Sequence, residues 1–144
     1  MLDIWAIGQQ TKPGLCKGAW MCPDAELYGK TVESDAPDMV ESYRTGIAMA
    51  ILSVFQNLDE NIRVHIPEGV FAGWLIFGDM EYGSNVSPYR VIYRTKVVPA
   101  VAAGKVSFHP QGTESPYFKQ LRHVINRKEG IKGCTLFTPT TSTK

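Results

Sequence analysis

The sequence predicts an α/β domain built on a mixed five-stranded sheet with helices on both faces. Three observations carry this. Within residues 61–81, Ile62, Val64 and Ile66 alternate with Arg63 and His65, the period-2 signature of a strand, and Val70, Phe71, Trp74 and Leu75 then follow at helical spacing. A long amphipathic stretch, residues 37–58, stands before that strand. Three strand-like segments separated by turn signals stand before the helix. Sequential strands pair antiparallel, whereas a strand reached through a helix returns parallel, so the sheet is mixed.

Taken in order, residues 1–8 read as a first strand, and Lys12-Pro13-Gly14 as a turn. Residues 15–22 read as a second strand and 26–32 as a third, edge-type strand. Ser34 or Asp35 caps the long helix and Pro37 suits its first turn. Asp38 and Glu41 favour the positive end of its dipole. Its apolar stripe is Val40, Tyr43, Ile47, Ile51, Val54, Phe55 and Leu58. Pro67 ends the next strand, because it cannot donate a ladder hydrogen bond. Residues 83–88 form a loop. Over 89–101 the β-branched residues favour a strand and Ser87-Pro88 favours a helix start, so both stay open. Residues 105–109 read as a strand with Val106 and Phe108 on one face. Ser115 caps a last helix beginning at Pro116, with Tyr117, Phe118, Leu121, Val124 and Ile125 as its apolar face. Residues 1–134 form one domain, and the Thr-rich segment 135–144 a flexible tail.

Composition narrows the function classes. The chain has 144 residues, 44% hydrophobic and 20% charged, enough for one packed core. No apolar run reaches the roughly 18 residues of a membrane span. The N-terminal residues lack a basic segment followed by an apolar one, so no secretory signal is visible. Cys16, Cys22 and Cys134 make an odd set, which points to reduced thiols and a cytoplasmic setting. No CxxC pair is present to start a zinc site. Charge is divided along the chain. Residues 1–84 hold 5 Lys/Arg against 12 Asp/Glu, and residues 85–144 hold 10 against 2. The halves neutralise each other when packed together. Alternatively, the basic half offers a face to nucleic acid or an acidic partner.

Several strings in sequence order resemble the ribonuclease H-like superfamily. Gly14-Leu-Cys-Lys-Gly-Ala-Trp-Met21 is similar to the glycine-rich lead into the family's second strand. Met39 to Ala50 resembles its first helix, which carries a catalytic Glu near its start, where Glu41 falls. Pro67-Glu-Gly-Val-Phe resembles the family's Thr-Asp-Ser-x-Tyr string, with Glu68 in place of Asp. Lys105-Val-Ser-Phe-His-Pro-Gln-Gly112 resembles the last strand and its His-bearing loop, with His109 at the His. The resemblance covers residues 1–128. It implies two magnesium ions held by four carboxylates, the first of them in the first strand just before a Gly. Here that position is Ile7, before Gly8. Asp3 is four positions away, about 13 Å along a strand at roughly 3.3 Å per residue. In the last helix the matching positions, Lys119 and Gln120, carry no carboxylate. An apolar residue cannot bind a hard cation, and two-metal hydrolysis needs ions about 4 Å apart.

The resemblance with these departures implies a non-catalytic binding module for nucleic acid or a protein partner, with no membrane and no cofactor. The alternative is a divergent magnesium-dependent nuclease with Glu41, Glu68 and His109 as catalytic residues and Glu41 and Glu68 as metal ligands. A third reading is a structural subunit that pairs through an exposed sheet edge. For nucleic acid, the candidate residues are Arg90, Arg94, Lys96, Lys105, Lys119 and Arg122. Docked as in the family, Lys119 or its neighbour reaches the pocket of the missing ligand, and Glu41 and Glu68 then face an ammonium instead of magnesium. His65 and His123 read as structural or exposed, and Trp5, Trp20 and Trp74 as core.

Overall fold

The computed structural model describes residues 1–31, 33–35, 39–57, 61–68, 75–76, 81–82, 85–86, 90–112, 114–126 and 138–141. The elements are β1 (Leu2–Lys12), β2 (Leu15–Cys22), a 3-10 turn (Pro23–Ala25), β3 (Leu27–Lys30), β4 (Ser34–Asp35), α1 (Met39–Asn57), β5 (Ile62–Pro67), β6 (Glu81–Tyr82), β7 (Asn85–Val86), α2 (Arg90–Ala102), β8 (Val106–Gln111), α3 (Pro116–Asn126) and β9 (Thr138–Thr141). Five strands run in the order β3-β2-β1-β5-β8. β1, β2 and β3 pair antiparallel, and β5 and β8 join parallel to β1. The expected α/β class and mixed sheet are therefore present, and two short strands extend the sheet. β4 pairs with β2, and β9 adds parallel to β3. β6 and β7 form a separate hairpin.

Strand alternation sorts side chains onto two faces. On one face, Ile4 and Ala6 of β1, Cys16, Trp20 and Cys22 of β2, and Ile62, Val64 and Ile66 of β5 are buried against α1 and α2. On the other, Ile7, Ala19, Met21 and Tyr28 pack with Phe118, Leu121, Val124 and Ile125 of α3. Helices thus cover both faces. α1 is buried on more sides than its stripe suggests: Ala48, Met49, Ala50 and Leu52 are as enclosed as Ile47 and Ile51. Tyr43, in the predicted stripe, is exposed instead. Val40, Leu58 and Trp74 fall outside the residues whose side chains are described, as does most of the helix expected near 70–75; Leu75 itself is buried.

Four local outcomes refine the sequence reading. Residues 90–102 are helical despite their β-branched content, because Tyr93 and Val97, one turn apart, both reach the core, and the Tyr93 hydroxyl donates to the Leu75 carbonyl at 2.7 Å. α2 stops in a Schellman motif. Gly104 adopts φ +77, its N–H donates to the Val101 carbonyl, and the Lys105 N–H donates to that of Ala100. Ser115 caps α3 as expected, its Oγ accepting from the Tyr117 N–H at 3.3 Å. The fourth outcome is a correction. Residues 138–141 of the supposed tail form β9, since β-branched threonines suit a strand and the edge of β3 offers them a ladder. Pro139 is tolerated there because an edge strand need not donate on both sides. No helix among the described residues is long and apolar enough to cross a membrane.

Candidate functional site

The polar chemistry of the described residues gathers on the α3 face, where β1, β5 and β8 run parallel. Register places Asp3 beside Arg63 and Arg63 beside Ser107. The next row sets Trp5 beside His65 and His65 beside His109. Alternation points all six side chains the same way. α3 packs across β1 and β2, and its first turn brings Tyr117 against Trp5.

Asp3 ties the first row to the second. Its Oδ1 accepts from Arg63 Nε at 2.9 Å, and its Oδ2 from Nη2 at 3.2 Å. His65 Nε2 lies 2.9 Å from the same Oδ1. The Arg63 hydrogen bonds first, and the His65 one second, hold the Asp3 carboxyl below the ordinary carboxylate range. An ionised carboxylate only accepts, so Nε2 carries a hydrogen and Nδ1 of a neutral ring presents its lone pair. That Nδ1 is buried and has no hydrogen-bond partner among the described residues; nor has Trp5 Nε1. His109 Nε2 is engaged by Ser107 Oγ at 2.8 Å. The rings form one cluster: Tyr117 and His65 each lie 4.4 Å from Trp5, His65 stacked on it and Tyr117 tilted, and His109 lies 5.7 Å from His65. Trp5 is thus in contact with two protein rings.

Chemically, this is a carboxylate-oriented histidine beside a Ser–His pair. It stops short of a relay, because Ser107 engages His109, whereas the carboxylate engages His65. The Asp3 pairing has a pH consequence. Its folded-state value lies below its unfolded one, so its contribution is complete above about pH 4 and is lost as pH falls through the folded value. The pair is partly exposed, so Asp3→Asn is expected to cost about 1 kcal/mol or less at pH 7. In chemical denaturation, the difference from wild type should shrink on acidification below about pH 4; a constant difference down to pH 2 would refute the pairing.

Of the positions that the resemblance aligns with a two-ion centre, the described ones are Ile7, Glu68, Lys119 and Gln120. Ile7 is 4% exposed and packed in the cluster with Phe118 and Leu121. Glu68 is exposed in the turn after β5, its N–H bound to the Gln111 carbonyl. The Glu41 side chain lies outside the described residues. No group of three or more His, Cys, Asp or Glu converges among the described residues. Lys119 is exposed on α3. Its ammonium is therefore not enclosed under the helix, whose sheet-facing positions are Phe118, Leu121, Val124 and Ile125; the neighbour Gln120 is partly buried.

The cationic candidates divide. Arg94, Lys96 and Lys105 are exposed, the first two on α2 at one face of the sheet. Lys119 and Arg122 belong to α3 on the opposite face. The Arg90 side chain lies outside the described residues. Two further cations, Lys17 of β2 and Lys30 of β3, share the α3 face. Lys30 Nζ donates to the Val124 carbonyl at 3.3 Å, at the C-terminal end of α3. Sequence reasoning passed over Lys17, Lys30 and Arg63, and weighed Asp3 only as a stand-in metal ligand. Strand parity could have placed the first two with Ala19 and Met21; the Asp3–His65 pair needed the register between β1 and β5. No protein-family model and no curated protein matches this sequence.

Proposed function

We propose that the chain is a ribonuclease H-like binding module for nucleic acid that does not carry out the nuclease reaction. The strand order β3-β2-β1-β5-β8 supports the fold reading: three antiparallel strands, a long helix, then two parallel strands, with α1 and α2 on one face and α3 on the other. The observation that carries the non-catalytic reading is Ile7. It stands before Gly8, where the resemblance implies a metal-binding carboxylate, and it is packed under α3. Replacing a hard-cation ligand by a buried alkyl group removes the ligand and the water-accessible space it needs. Surface cations of the basic half, Lys119 of α3 among them, supply charge for phosphate contacts.

Fluorescence anisotropy with labelled RNA–DNA hybrid, duplexes and single strands tests this directly. Binding should weaken steeply as salt rises, and the labelled strands should stay intact after incubation with magnesium or manganese. Cleavage that Glu68→Gln abolishes would replace this reading by the nuclease one. Failure to bind any of the strands at low salt would favour a protein partner.

A further inference from the structure

We infer that nucleic acid docks on the α3 face of the sheet, through the phosphate backbone, with Lys17, Lys30, Lys119 and Arg122 as its cations. This rests on the function proposed above and goes further by choosing the face and naming two residues that lie outside the basic half of the sequence. Parity puts Lys17 on the side of Ala19 and Met21, and Lys30 on the side of Tyr28, all against α3. On α3, Lys119 and Arg122 are three residues apart and so neighbours along one side of the helix. Lys30 reaches the far end of that helix at Val124. The four cations therefore flank a single element. Burial, first, and then the nearby Lys17 hold the Lys30 ammonium below its ordinary range, as expected of cations crowded together.

One acid shares this parity, Asp35 of β4, which stands opposite Leu15 at the edge of the sheet. α3 contains no Asp or Glu, and the strand residues facing it on β2 and β3 contain none. Asp3 is committed to Arg63 and His65. Glu68 and Glu114 lie in turns beyond the strand ends. On the opposite face, Arg94 and Lys96 are two residues apart on α2, so they point to different sides and do not form one track. The face also lacks the anchor that a protein or lipid partner uses. The large exposed apolar side chains among the described residues are Met1, Tyr43 and Ile92, none on α3, β2 or β3. Charge without an apolar anchor fits the sugar–phosphate backbone.

The test compares two matched triple variants against labelled single strands and RNA–DNA hybrid at several salt concentrations. Lys17→Gln/Lys119→Gln/Arg122→Gln is expected to weaken binding about tenfold or more and to reduce the salt slope by about 2 on single strands. Arg94→Gln/Lys96→Gln/Lys105→Gln should stay within about twofold of wild type. Acetylation footprinting on the unaltered protein gives a second readout independent of folding: bound strand should protect Lys17, Lys30 and Lys119, and leave Lys96 and Lys105 reactive. The reverse pattern in either experiment overturns this inference while leaving the proposed function standing. No binding by wild type overturns both. Binding of polyglutamate or anionic vesicles with equal affinity and no nucleic-acid preference overturns the choice of partner.

Discussion

Gly18→Ala is expected to destabilise the protein by about 3 kcal/mol or more, lowering the melting temperature by roughly 10 °C. β2 and α1 touch backbone to backbone at this point. A Cβ on Gly18 would fall on the Gly46 carbonyl oxygen and 2.7 Å from its carbonyl carbon. The contact is reciprocal. A Cβ on Gly46 would meet the Lys17 carbonyl oxygen and the Gly8 Cα, both at 2.5 Å. Neither neighbour is a flexible side-chain end, so relief requires lifting α1 off the sheet. That movement would open the layer formed by Ile47, Ala50 and Ile51 over Ile4, Ala6 and Trp20, which packs at interior density. Gly112→Ala is the internal control. Its Cβ would meet only the end of the exposed Glu68 side chain, at 3.4 Å, so its melting temperature should move by no more than about 2 °C. Equal shifts in the two variants would refute the close-approach account.

The same contact shows what the sequence could and could not disclose. Gly8, Gly18 and Gly46 are visible as glycines, and the first two mark strands that another backbone approaches. Which backbone approaches them is a tertiary fact. Period-2 alternation at Ile62, Val64 and Ile66 placed β5 correctly, because a strand with one face under two helices must alternate. Ser115-Pro116 placed α3 for an equally local reason, since cap chemistry acts over three residues. α2 was undecided because its β-branched residues favour a strand, and only the burial of Tyr93 and Val97 decides otherwise. β9 was missed because three threonines and a proline carry no burial signal; an open strand edge elsewhere in the chain recruits them. The site was less legible than the fold. Asp3, Arg63 and His65 come together through parallel register between segments about sixty residues apart, which no local spacing encodes. The basic residues were counted along the chain, whereas the electrostatics depends on strand parity. Parity joins Lys17 and Lys30 to α3 and separates Arg94 and Lys96 from it.

Trp20→Ala is expected to cost about 3 to 5 kcal/mol, the range for deleting a fully enclosed aromatic side chain. Trp20 is 0% exposed at the centre of β2, and its indole lies between the sheet and α1. Its Nε1 donates to Ser53 Oγ at 2.9 Å, among mostly apolar side chains. This bond explains why a polar residue sits at the inner side of α1: a buried indole N–H without an acceptor would cost about 1 to 3 kcal/mol. Two effects therefore separate by substitution. Ser53→Ala keeps the ring but removes the acceptor, and should cost about 1 to 3 kcal/mol. Trp20→Phe removes part of the ring together with the donor, and should fall between Ser53→Ala and Trp20→Ala. The Trp20→Phe/Ser53→Ala double variant removes donor and acceptor together. Its loss should be smaller than the sum of the single losses by about 1 kcal/mol, since the bond is counted in each. Urea unfolding followed by circular dichroism measures all four without relying on tryptophan emission. Strictly additive losses would show that the Nε1–Oγ bond contributes nothing. A Trp20→Ala loss below about 1 kcal/mol would remove Trp20 from the centre of the core.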